Sequence, residues 1–141
     1  MNAEQYKIKD YSPKFAKKTV TVMRKVTQRA FGELADDSFD KQVNHFKNVI
    51  AKQYAMRIVT SFNERTIYGV VIFDQSHLIE LLVDPAKKNL GIEARLLKIV
   101  QQQSQGVLEC DTANRQLKRF LIQNEFQEVA ADHLIWRQTS L

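Results

Sequence analysis

The spacing of apolar residues changes several times along the chain, and each change predicts an element. Gln5–Lys9 alternates over a short run and predicts an opening strand. Ser12-Pro13 then begins a helix, with Ser12 suited to the N-cap and Pro13 to the first helical position. Within Lys14–Phe31 the residues Phe15, Val22, Met23, Val26 and Ala30 form an apolar stripe. Lys17, Lys18, Arg24, Lys25 and Gln28 occupy much of the remaining surface, and Gly32 is the expected stop. After the acidic turn Ala35–Asp40, with Asp37 or Ser38 as cap, Phe39, Val43, Phe46 and Ile50 recur at helical spacing and predict a second helix over Phe39–Gln53.

From Met56 the pattern becomes β-rich. Met56–Phe62 and Thr66–Phe73 read as a hairpin about Asn63-Glu64-Arg65, and Asp74-Gln75-Ser76 turns into a third strand, His77–Val83. Asp84-Pro85 ends that strand, because proline has no N–H to continue a ladder. Two lysines follow, then Gly91, then a helix expected to turn Leu90, Ala94, Leu97 and Val100 inward. Gly106 breaks the chain before a strand over Val107–Asp111. A helix over Asn114–Asn124, with Leu117, Phe120 and Leu121 inside, precedes a closing strand pair, Gln127–Ala131 and His133–Gln138. The order is β-α-α-β-β-β-α-β-α-β-β, which predicts a mixed α/β fold: a central mixed sheet with helices on both faces and a parallel crossover from 77–83 to 107–111.

Composition narrows this only slightly. The 141 residues suit one domain spanning 1–141, and 44% hydrophobic with 26% charged residues is ordinary for a globular protein. The sequence has no membrane-length apolar run and no leader pattern at its start, and a lone cysteine fits a reducing compartment, so a cytoplasmic protein is expected. Histidine and cysteine show no zinc-ligand spacing, so no metal is expected. The formal net charge of +5 is concentrated in Met1–Phe31, which carries eight Lys/Arg and two acids. Those lysines have no interleaved aromatics and form no recognition motif, which argues against nucleic acid and leaves them as the wet face of a helix.

The chemistry centres on the strand–turn–helix unit Leu78–Val100. A helix start presents amides without internal partners, backed by the positive end of the macrodipole, and suits a phosphate; Lys87 and Lys88 add charge, although lysines before a helix also suit a plain solvated surface. Val83-Asp84-Pro85 followed by Lys88-Asn89-Leu90-Gly91-Ile92-Glu93-Ala94-Arg95-Leu96-Leu97 resembles the acyl-CoA-binding motif of the GNAT superfamily of N-acetyltransferases. Asn114 through Phe126 resembles the later family block, with Asn114, Phe120 and Phe126 in place. Glu93 stands where the family has a small residue, Leu121 where it has a tyrosine and Glu125 where it has a glycine.

The resemblance implies the GNAT fold, with acetyl-CoA as co-substrate lying where the strands 77–83 and 107–111 splay apart. It assigns cofactor contacts to Leu81, Leu82, Val83, Lys87, Lys88, Asn89, Leu90, Gly91, Ile92, Glu93, Ala94 and Asn114, the last equally suited to cap a helix. It also implies a small-molecule or peptide amine as acceptor, with no membrane partner and a monomer or homodimer. For the general base it points first to Glu109 and then to His77, each of which also reads as an ordinary ion-paired or hairpin-end residue. Glu80 is a third acid, whose place in an apolar strand favours an ion pair across the sheet. Cys110 reads as core, Phe31, Phe39 and Phe46 as core or acceptor groove, and Trp136 as core or the far side of that groove. The departures at Glu93, Leu121 and Glu125 keep a second reading open, a CoA-binding or regulatory module with weak or no catalysis.

Overall fold

In the computed structural model, which describes residues 6–31 and 38–139 (the side chains of 28–31 apart), the β-rich runs pair into two antiparallel sheets. The first contains β1 (Tyr6–Asp10), β2 (Ala55–Ser61), β3 (Ile67–Phe73) and β4 (Leu78–Val83), paired in that order. The second contains β5 (Val107–Asp111), β6 (Gln127–Ala130) and β7 (His133–Arg137), in the order β5-β7-β6. The expected parallel pairing of β4 with β5 is reduced to a single bridge between His77 and Glu109, so the mixed sheet is two antiparallel halves joined at one point.

The helices follow from local signals. Pro13–Phe15 forms a 3-10 turn that leads into α1 (Ala16–Phe31). Ser12 starts it through its carbonyl, which accepts from Phe15 N at 3.0 Å, and not through its hydroxyl. Ser38 Oγ caps α2 (Phe39–His45) by accepting from Lys41 N at 3.3 Å. The single helix expected over Phe39–Gln53 passes through a π turn at Phe46–Ile50 before α3 (Ala51–Gln53). The expected stop at Gly32, the alternative cap Asp37 and the side chains of Gln28, Ala30 and Phe31 lie outside the described residues.

Apolar burial splits into two cores, one on each side of the first sheet. On one side α1, α2 and the π turn bring Val20, Val26, Val43 and Phe46 against Ile58, Val70 and Ile72. On the other, α4 (Ile92–Gln103) and α5 (Arg115–Gln123) bring Leu96, Leu97, Leu117 and Leu121 against Val71, Leu81, Leu108 and Leu134. Helices therefore cover both faces. The inner face of α4 differs from expectation: Ile92, Leu96, Leu97 and Val100 are buried while Ala94 is exposed. Gly91, left-handed at φ 74°, separates Leu90 from the helix, so the helical phase is set from Ile92 onward. Trp136 is core, stacked on Phe126 with ring centroids 6.5 Å apart. No helix among the described residues is long and apolar enough to cross a membrane.

Candidate functional site

The site begins with the divergence of β4 and β5. They touch where Glu109 N donates to Ser76 O at 2.9 Å, and beyond that bridge β4 pairs only with β3. The edge of β4 that faces β5 is thus left with backbone donors and acceptors unpaired by a neighbouring strand. A cavity of about 330 Å³ fills the opening, with Ile79, Glu80 and Leu82 on one wall and Asp111, Thr112, Ala113 and Asn114 on the other. It lies at the carboxyl ends of two parallel neighbours, where open α/β sheets bind ligands.

A bulge in β4 directs the chemistry of this opening. Val71 faces Leu81 and Ile72 faces Glu80, but Phe73 faces Leu78, so Ile79 is an extra residue. An extra residue breaks the alternation of a strand and re-aims side chains. Ile79 and Glu80, though consecutive, both wall a second cavity of about 360 Å³ on the α1–α2 side. Its apolar wall includes Val20 and Met23 of α1, Phe46 and Ile50 of the π turn, and Ile72 of β3. Its polar members are Arg24, Thr27, Gln42, His45 and Glu80. Thr27, Ile79 and Glu80 belong to both cavities, so Glu80 stands at their junction.

Glu80 does not form the cross-sheet ion pair expected of it; no cation pairs with it among the described residues. Burial alone pushes its carboxyl up to about 7. A carboxyl of that pKa exchanges a proton near neutrality, and this one does so inside a cleft.

The turn after β4 forms the other end of the opening. Asp84 Oδ1 accepts from Ala86 N at 3.0 Å and starts the 3-10 turn Pro85–Leu90, while Lys25 of α1 pairs with Asp84 at 3.0 Å. Among the described residues nothing lies within 4 Å of where a Gly91 Cβ would be, so the backbone at the start of α4 is open to approach. Lys87 Nζ lies 4.7 Å from the Tyr68 ring centroid. Lys88 reaches Gln116 Oε1 of α5 at 3.2 Å and Glu93 Oε2 at 3.7 Å, and so joins the two walls. Glu93 is half-buried; burial raises its pKa, and Lys88 opposes that rise. Asn114 both caps α5, accepting from Gln116 N at 2.9 Å and Leu117 N at 3.3 Å, and lines the opening.

The remaining expected residues are placed as follows. Leu81 and Val83 turn their side chains into the α4-side core, and Leu82, which borders the opening, belongs to the α1-side core. Ile92 is likewise core, with Asn89 and Ala94 exposed and Leu90 half-buried. Glu109 lies across the bridge from His77, but their side chains have other partners. Glu109 Oε1 is 3.1 Å from His133 Nε2, and His77 Nδ1 is 3.1 Å from Asp74 Oδ1 in the turn before β4. Cys110 is buried, and burial first, then the Glu80 and Asp111 carboxylates, push its thiol up to about 12. Leu121 is fully buried in the core. Phe46 borders the second cavity, and Phe39 carries the Arg24 guanidinium over its ring at 5.7 Å.

Arg24, expected on the wet face of its helix, instead walls the cavity, and its Nη1 is buried without a hydrogen-bond partner among the described residues. Gln42 Oε1 is in the same condition. The sequence signal for Arg24 was its place four residues after Val20 and three before Thr27, along one face of α1.

No family model matches the sequence, and no curated protein matches it. Solved structures do. An acetyltransferase of the GNAT family from Staphylococcus aureus Mu50 superposes with a TM-score of 0.74 at 13% identity, over 95% of this chain and 99% of its own. PaiA N-acetyltransferase from Thermoplasma acidophilum, solved in complex with coenzyme A, gives 0.65 at 14% identity over 96% and 99%. YncA from Salmonella typhimurium, solved with its cofactor acetyl-CoA, gives 0.63 at 11% identity over 98% and 96%. These likenesses span nearly whole chains on both sides, and the protein has the GNAT fold.

Proposed function

We propose that the protein transfers an acetyl group from acetyl-CoA to an amine, with acetyl-CoA in the β4–β5 opening, the amine in the α1–α2 cavity, and Glu80 between them as general base. The observation that carries this reading is that the two cavities are distinct but meet at one half-buried carboxyl, that of Glu80. Two of the similar structures hold coenzyme A or acetyl-CoA, which supports the choice of donor.

In this reading the unpaired edge of β4 along Leu81, Leu82 and Val83 takes the pantetheine arm, with Asn114 opposite. The amides of Ile92, Glu93 and Ala94 after Gly91 take the pyrophosphate, with Lys87 and Lys88 supplying positive charge beside Asn89 and Leu90. The substrate ammonium gives one proton to Glu80. The freed nitrogen lone pair attacks the thioester carbonyl carbon, and backbone N–H groups of the β4 edge stabilise the developing oxyanion. The C–S bond then breaks with its electron pair on sulfur, and the nitrogen releases its second proton to the thiolate or to water. Leu121 offers no hydroxyl for this last step. A thiol pKa near the free cysteine value of about 8.5 lets sulfur depart without full protonation, so a slow enzyme is expected rather than a dead one.

The test is thiol release from acetyl-CoA with an amine panel, comparing wild type, Glu80→Gln, Glu109→Gln and His77→Ala. Glu80→Gln should lower kcat/KM by about 10²–10⁴-fold. The other two should change it far less, because their side chains already bind His133 and Asp74. The reverse ranking moves the base to Glu109 or His77. Tight CoA binding with no turnover on any amine makes the chain a binding module.

A further inference from the structure

The polar groups that wall the α1–α2 cavity are few and differ in sign. They are the acceptors Glu80 and Gln42, the cation Arg24, and Thr27 and His45, set among Val20, Met23, Phe46, Ile50, Ile72 and Ile79. Arg24 and Glu80 wall the same space yet no ion pair joins them, and Glu80 takes its shift from burial with no contribution from the arginine. The two charges therefore wall one cavity without being paired to each other. The Arg24 guanidinium lies over the Phe39 ring at 5.7 Å, a contact that supplies no hydrogen-bond acceptor in its plane. Arg24 Nη1 and Gln42 Oε1 are buried without partners among the described residues. Unpartnered buried polar atoms are costly, and most find a partner in the functional state. Both residues wall the same cavity, where an occupant offers them the partners they lack.

We infer that the acceptor is a free amino acid with an apolar side chain, its amine directed to Glu80 and Gln42 and its carboxylate to Arg24. The inference rests on the acyl-transfer reading above. Other amines fit less well. A polyamine would set a second ammonium against Arg24. A phosphorylated amine would bring a dianion to a site with one guanidinium, where strong phosphate sites gather several donors. A sugar amine would face an apolar wall that leaves most of its hydroxyls unpaired. The apolar wall instead matches an aliphatic side chain, and about 360 Å³ lies at the small end of ligand pockets.

The experiment compares L-leucine with 3-methylbutylamine, which is leucine without its carboxylate, by calorimetry on the CoA-saturated full chain and by thiol release from acetyl-CoA. Leucine should bind about 10- to 100-fold more tightly, the difference expected of a charge-assisted hydrogen bond in a buried site. Arg24→Leu should remove that preference while CoA affinity, measured on the same variant, stays at the wild-type value and shows that the protein is folded. Equal binding of the two compounds, binding of neither, or an unchanged preference in Arg24→Leu each overturns the inference. Preferential leucine binding with no thiol release keeps the amino acid as the cavity's ligand and removes the transferase reading, and with it the acceptor role.

Discussion

Two residues on facing strands, Glu80 and Cys110, show how environment separates similar candidates. Glu80 has an aqueous opening on one side and a cavity on the other, and its carboxyl is raised to about 7; the Cys110 thiol is enclosed and raised to about 12. Cys110 should therefore resist iodoacetamide at pH 8 in the folded protein and react on unfolding, and Cys110→Ala should leave turnover within about twofold, since a thiol kept protonated cannot carry an acyl group. Rapid alkylation of the native protein would refute this. Glu80 also makes stability depend on pH. Its folded pKa lies above the ordinary 4.5, so the folded state holds the proton more tightly. That contribution is intact below about 4.5 and lost as pH rises through about 7, at most about 3 kcal/mol. Glu80→Gln should thus gain stability over wild type at pH 8 but not at pH 4.5, while losing activity. Urea denaturation at both pH values checks it, and a pH-independent difference between the two proteins contradicts it.

At the scale of elements, the turn and helix that follow β4 were legible because they carry local signals. Asp84-Pro85, Gly91 and the Asn114 cap each act within a few residues, and all three work as the sequence implies. The bulge at Ile79 was not legible, since it exists only in the register between β4 and β3. Without it, Glu80 reads as a carboxylate needing an ion pair in a regular strand. The π turn at Phe46–Ile50 was hidden for a similar reason, because Phe39, Val43, Phe46 and Ile50 keep helical spacing through it. Arg24 was misread because a basic residue on an amphipathic helix is usually solvated, and only the packing of α2 against α1 encloses it. The start of α4 carries its own prediction. Glu93 lies 3.7 Å from Lys88 and places a carboxylate where the reading puts phosphates. Glu93→Gln should tighten CoA binding about two- to fivefold, in keeping with the 0.3–1 kcal/mol typical of a charge at a helix end. Weaker binding by calorimetry would mean that Glu93 orders Lys88 rather than opposing the ligand. Gly91→Ala should cost about 1–2 kcal/mol of stability from its left-handed φ of 74° alone, because no atom of the described residues obstructs the new methyl group.

At the scale of the whole molecule, the first sheet and the β5-β7-β6 sheet share one strand bridge, His77 to Glu109, and diverge from it. The core under α4 and α5 joins the halves from one side, while the opening on the other side leaves their facing strand edges unpaired. A ligand that pairs with the edge of β4 and reaches Asn114 would tie the halves together, so CoA should raise Tm and slow amide exchange in 79–83 and 111–116 more than elsewhere. The central claim, that acetyl-CoA lies in this opening with its thioester at Glu80, is tested most directly by a crystal structure of the acetyl-CoA complex. The account predicts the pantetheine arm between β4 and β5, the pyrophosphate at the amides after Gly91, and the thioester carbonyl within hydrogen-bond or one-water reach of the amine position beside Glu80. Acetyl-CoA bound at another surface, or bound here with its thioester pointing away from the α1–α2 cavity, would contradict it.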